Sequence, residues 1–106
     1  INEFTVAPQV HPKDGLPYHE WLMEFDELPA DIDQLAEIID RVMQEKNIYY
    51  ADLIKGKVLR PVVITPIKPG GFKEYMKSVG RLGGQNKVSR LSNDRKIADK
   101  LSEFAW

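Results

Sequence analysis

At 106 residues, 42% hydrophobic and 29% charged, the chain has the composition of one globular domain with a single modest core. It has no cysteine, which excludes disulfide frameworks, thiolate metal sites and cysteine nucleophiles. No apolar run is long enough to span a bilayer and no signal-like segment opens the chain, so no membrane partner and a cytoplasmic location are expected. The start at Ile1, without an initiator methionine and inside a strand pattern, reads as the edge of a piece cut from a longer protein.

The net charge of −1 hides an asymmetry. Residues 1–46 carry eleven carboxylates against Lys13, Arg41 and Lys46, while residues 47–106 carry five against twelve Lys and Arg. A dipolar solvated surface would explain this, and so would a C-terminal half that faces something anionic.

In chain order, Ile1 to Val10 predicts a strand that becomes irregular past Ala7, where Pro8 interrupts the ladder. A turn through His11, Pro12, Asp14, Gly15 and Pro17 leads to a second strand, His19 to Phe25, antiparallel to the first. There Trp21, Met23 and Phe25 share one face, and Glu20, Leu22 and Glu24 the other, which predicts a sheet buried on one side and mostly wet on the other. Asp31, with Gln34 three residues on, predicts the start of a helix through Lys46, and Asn47 is expected to close it in the left-handed conformation. Ile32, Leu35, Ile39, Val42 and Met43 form its buried stripe, which packing alone explains.

Ile48 to Lys55 predicts a short second helix with Tyr50, Leu53 and Ile54 inward and Gly56 as its stop. Val58 to Ile67 predicts a third strand, punctuated by Pro61 and Pro66. A third helix follows Gly70 and Gly71, with Phe72, Tyr75, Met76 and Val79 on one side and Gly80 as its C-cap. Ser92 is expected to cap a last helix that buries Ile97, Ala98, Leu101 and Phe104. The predicted fold is one α+β domain over 1–106: a small, mainly antiparallel three-stranded sheet with amphipathic helices packed on it, most economically on one face.

Most chemistry-bearing residues have a packing explanation. His11 and His19 lack metal-ligand spacing. Ser78, Ser89, Ser92 and Ser102 lack a nucleophile-elbow setting. The carboxylates of the first half sit on apparently solvated helix faces, and Tyr49, Tyr50 and Trp21 fit core or interface positions. Among the residues weighed no metal site is expected.

The stretch Gly80 to Lys96, GRLGGQNKVSRLSNDRK, stands apart. Adjacent Gly83 and Gly84 let backbone N–H groups approach a ligand, Gln85 adds polar capacity, and Lys87 supplies a point charge with Arg81, Arg90 and Arg95 nearby. Composition and spacing leave both an anion cradle and a plain inter-helix turn open.

This stretch, with KEYMKSVG before it and EFTVAP and HEWLMEF far upstream, resembles the C-terminal region of the auxin-responsive acyl-acid amido synthetases. These belong to the acyl-adenylate-forming superfamily, and the likeness is nearest to their bacterial homologues. The resemblance runs through essentially the whole chain in the same order. It implies a mobile C-terminal cap domain of an ATP-dependent enzyme, inactive in isolation. The parent would activate a carboxylic acid with ATP and Mg²⁺ to an acyl-adenylate and pass the acyl group to an amine or amino acid. The N-terminal adenylation domain of the same parent would bind most of the nucleotide, the metal and the acyl acid. By the same resemblance Lys87 is the catalytic lysine that reaches the ATP phosphates, with Gly83, Gly84, Gln85 and Arg90 completing the phosphate loop. Ser89 stands where the family commonly has proline, which leaves the backbone between Lys87 and Arg90 freer.

A reading from another class is a small nucleic-acid or acidic-partner module using Lys55, Lys57, Arg81, Lys87, Arg90, Arg95 and Lys96. Near-neutral overall charge and a lack of interleaved aromatics make nucleic acid the weaker expectation. A parent that has lost catalysis while keeping the fold is the third.

Overall fold

In the computed structural model, which describes residues 3–10, 15–79, 91 and 94–106, the first two strands pair as expected. β1 (Glu3–Gln9) and β2 (Tyr18–Glu24) lie antiparallel, with Glu3 opposite Glu24 and Gln9 opposite Tyr18. Pro8 does not interrupt β1 and pairs in register with His19. β1 is an edge strand, so every second residue points its backbone away from the partner, and a proline there forfeits no ladder bond. Val6, two residues earlier and hence of the same orientation, forms a parallel bridge outward to Leu91.

α1 (Ile32–Lys46) starts as its cap predicts, the Asp31 carboxylate accepting the Gln34 N–H at 2.9 Å. Asn47 is not left-handed but extended, φ −140°. Its side chain accepts the N–H groups of Tyr49 and Tyr50 at 3.0 and 3.2 Å, so it serves as the N-cap of α2 (Ile48–Lys55), a role that requires non-helical backbone. Tyr50 is buried there as expected, whereas Leu53 is exposed.

The third strand is shorter than its apolar run. The N–H groups of Val58 and Leu59 turn back to the Leu53 carbonyl, Arg60 N–H reaches Pro17 and Val62 N–H reaches the Asp40 carboxylate. Only β3 (Val63–Ile67) remains for the ladder. It pairs parallel to β2, from Glu20 opposite Val63 to Glu24 opposite Ile67, because the helical crossover returns the chain to the same end of the sheet. The sheet is thus mixed, in the order β1-β2-β3, with the longer pair antiparallel.

Lys57, within the turn after α2, holds φ +57°, a conformation that costs an L-residue with a Cβ about 1–2 kcal/mol. Lys57→Gly should therefore stabilise the domain by about 0.5–1 kcal/mol after the extra chain entropy of glycine is subtracted. Urea denaturation should show a higher midpoint with an unchanged slope.

α3 (Gly71–Ser78) follows Gly70, whose φ of +82° suits glycine. Gly71 itself needs to lack a side chain: a Cβ there would run into the Ile67 side chain and come within 3.0 Å of Phe104 Cβ. Val79 is the C-cap of α3 and is exposed; Gly80, expected in that role, lies outside the described residues. α4 (Lys96–Leu101) is preceded by Arg95 at its cap position, and Ser92 too is outside the described set. A 3-10 turn (Ser102–Phe104) then leads Ala105 into an antiparallel bridge with Ile67 on the outer edge of β3, where Trp106 donates both its N–H groups to Pro66 and Ile67 carbonyls.

The expectation of one wet sheet face and helices on the other is overturned. Phe4, Trp21, Met23 and Ile64 meet α1 through Ile32, Leu35, Ile39 and Met43. On the opposite face Ala7, Leu22 and Ile67 meet Phe72, Tyr75 and Met76 of α3 and Ala98 and Leu101 of α4. The sheet lies between two helical layers. Glu20 and Glu24, which suggested a wet face, are buried and bonded: Glu24 accepts the Phe72 N–H at the start of α3 at 3.1 Å. No helix among the described residues is long and apolar enough to cross a membrane.

Candidate functional site

The residues expected to form the phosphate loop, Gly83, Gly84, Gln85, Lys87 and Arg90, lie outside the described residues. What the structure describes is how the chain enters and leaves that stretch. It leaves α3 at Val79, whose N–H returns to the Tyr75 carbonyl at 3.2 Å, while the Ser78 hydroxyl donates to the same carbonyl at 2.7 Å. Tyr75 and Met76 of that turn are buried in the core shared with α4. On the far side Leu91 is bridged to Val6 on the edge of β1.

Arg95 follows, and sequence reasoning misplaced it. Grouped with the cations available to an anion, it is engaged within the domain. Its Nη1 donates to Glu20 Oε1 at 2.6 Å, and its Nε and Nη2 donate to Asp99 at 3.2 and 3.1 Å. The second oxygen of Glu20 accepts the Thr65 hydroxyl from β3. Burial works against the Arg95 charge, but the hydrogen bond and charge of Glu20, with Asp99 behind it, hold its pKa above the ordinary value. A buried glutamate on the central strand is thereby joined to the segment that leaves the glycine-rich stretch.

A second polar cluster lies in the opposite layer and was missed. Asp40, expected on a solvated helix face, is 5% exposed. It accepts the Tyr50 hydroxyl and, at 3.1 Å, the Val62 N–H on one oxygen, and Gln44 Nε2 at 2.7 Å on the other. Burial first, and then the hydrogen bond and charge of Asp40, push the Tyr50 phenol far above its usual pKa. The available signal was positional: Asp40 is four residues from both Ala36 and Gln44, on the row beside the apolar stripe. A groove of about 700 Å³ runs past it, but its walls mix Glu37 and Glu45 with Arg41 and Lys55, and it lies on the α1 layer, across the sheet from α3 and α4.

Of the other residues considered, His19 stacks on Tyr50 at 5.7 Å, and its burial lowers its pKa. Its Nδ1 and Trp21 Nε1 are buried without a hydrogen-bond partner among the described residues. Trp21 stacks on Phe4 at 5.6 Å, while Tyr49 is 80% exposed, not core. Ser102 donates to the Ala98 carbonyl at 2.8 Å. His11, Arg81, Ser89 and Ser92 lie outside the described residues. Among the described residues no group of three His, Asp or Glu is placed to hold a metal ion.

The family model of the GH3 family C-terminal domain matches residues 1–96. A solved structure described as GH3.15 acyl acid amido synthetase shares the fold with a TM-score of 0.78 at 20% identity, over 100% of this chain and 20% of that one. Another, AtGH3.15 acyl acid amido synthetase in complex with 2,4-DB, gives 0.75 at 19% identity over 98% of this chain and 20% of that one. The chain thus spans about a fifth of the length of these solved relatives. No curated protein sequence matches it.

Proposed function

This chain belongs to the GH3 family as its C-terminal domain, and from that premise we propose that it is the mobile cap of a longer, cytoplasmic ATP-dependent acyl-acid amido synthetase. The observation that carries the reading is that the family match runs continuously through the glycine-rich stretch, so that Lys87 stands within a matched domain and not in an isolated motif. The parent's N-terminal domain holds ATP, Mg²⁺ and the acyl acid, and the amine or amino acid acceptor enters there. The domain described here contributes Lys87, with Gly83, Gly84, Gln85 and Arg90 around it.

Adenylation gathers negative charge on the α-phosphate and the departing pyrophosphate. An ammonium group already oriented in a water-poor cleft stabilises that charge without reorganisation. Carried on a separate domain, it is present only when the two domains meet, which couples the chemistry to their motion and leaves the cap inactive alone. In the full-length parent, Lys87→Ala should lower acid-dependent ATP–pyrophosphate exchange by about a hundredfold, the scale for one such donor. Exchange at the wild-type rate would overturn the assignment.

The competing reading, a nucleic-acid or acidic-partner module, is weakened by Arg95. One of its seven cations already has its charge paired with Glu20 and Asp99, through three of its five N–H donors.

A further inference from the structure

We propose that Glu20 and Arg95 form a positioning pair for the glycine-rich stretch, holding its exit on the sheet so that Lys87 meets the phosphates in one place. The inference rests on the function proposed above and adds two residues to it.

Three observations support it. The first is placement. Leu91 is bridged to Val6, which pairs with Trp21; Arg95 is bound to Glu20, which pairs with Ala7. The chain leaving the stretch is therefore fixed to two adjacent rungs of the same ladder within four residues. The second is that α4 does not need the pair to dock. Ala98 and Leu101, both 0% exposed, already bury its apolar side against Leu22, Ile67 and α3. The third is energetic. A partly buried Arg–Glu pair contributes little net stability, but when its hydrogen bonds are assigned on both sides it tolerates few geometries. Here both carboxylate oxygens are assigned, one to Arg95 and one to Thr65, and Arg95 is oriented further by Asp99. A carboxylate held from β3 and from the start of α4, and a guanidinium held by Glu20 and Asp99, specify a position.

The consequence is catalytic in magnitude though neither residue touches substrate. A displacement of about 1 Å, caused by a change far from the reacting atoms, can cost up to about a hundredfold in rate. Glu20→Gln keeps the shape and removes the charge, so in the full-length parent it should lower the turnover of ATP–pyrophosphate exchange by about tenfold. The decisive measurement is the double variant. A positioning residue acts through Lys87, so Glu20→Gln should slow Lys87→Ala no further. A tenfold loss that persists in the Lys87→Ala background would overturn the proposal, because the pair would then act elsewhere. Wild-type exchange in Glu20→Gln would overturn it too. Should Glu20→Gln fail to fold, the same cycle with Arg95→Lys decides, with an expected loss of about threefold on wild type and none on Lys87→Ala. A wild-type rate for Lys87→Ala alone would instead strike the function reading beneath it.

Discussion

Replacing Asp40 by alanine is expected to lower the stability of the domain by about 4 kcal/mol, a large part of the total for a chain of this size. One buried carboxylate joins three pieces of structure: α1 carries it, α2 sends the Tyr50 hydroxyl, and the approach to β3 sends the Val62 N–H. Alanine would leave all of these, and Gln44 Nε2, as donors without an acceptor, each costing about 1–3 kcal/mol when buried. Asp40→Asn keeps an acceptor oxygen for Tyr50 and Val62, so its cost should be nearer 1–2 kcal/mol. Tyr50→Phe removes one donor and leaves the rest of the network, for about 1 kcal/mol. Urea denaturation of the three variants should rank them in that order, and a loss below about 1 kcal/mol in Asp40→Ala would mean the network is not formed. The Tyr50 phenol should also titrate at lower pH in Asp40→Ala, since the charge that helps to raise it is gone while burial remains.

Local signals in the sequence were accurate where they depended on neighbours along the chain. The Asp31 cap, the extent of α1, the second helix and the antiparallel pairing of the first two strands all follow from spacing and turn chemistry. The α+β class and the mainly antiparallel three-stranded sheet were legible too; what failed were particular assignments decided across the fold. Asn47 was read as the end of one helix because nothing in the sequence says that the next begins on the same residue. Pro8 was read as a break because edge position is a property of the sheet, not of β1. Asp40, Glu20 and Glu24 were read as solvated because charge is the usual mark of a surface, and their partners lie 10, 75 and 48 residues away. Arg95 was grouped with free cations for the same reason. The candidate site divides in the same way: GGQNK drew attention by its composition and lies outside the described residues, while the Glu20–Arg95 contact that follows it in the chain was not foreseen.

The misreading of β2 leads to the second large effect. If Leu22 stood on a wet face beside two glutamates, its truncation would cost a few tenths of a kcal/mol. In the structure it is 0% exposed at the centre of the middle strand, packed in the cluster that contains Ala7, Ile67, Tyr75 and Leu101. Its flanking glutamates are not marks of solvent: Glu20 answers Arg95 and Thr65, and Glu24 caps α3. Leu22→Ala should thus cost about 3–4 kcal/mol, the lost transfer energy plus that of a cavity its neighbours cannot close. They cannot close it because β1 and β3 fix the backbone on either side while α3 and α4 are held by their own contacts. Leu28→Ala, at a position 50% exposed, should cost less than about 0.5 kcal/mol and serves as the control. The two variants compared by urea denaturation separate the architectures directly. A difference of several kcal/mol requires helices on both faces of the sheet, and equal small losses would return α3 and α4 to the one face that the alternation of β2 predicts.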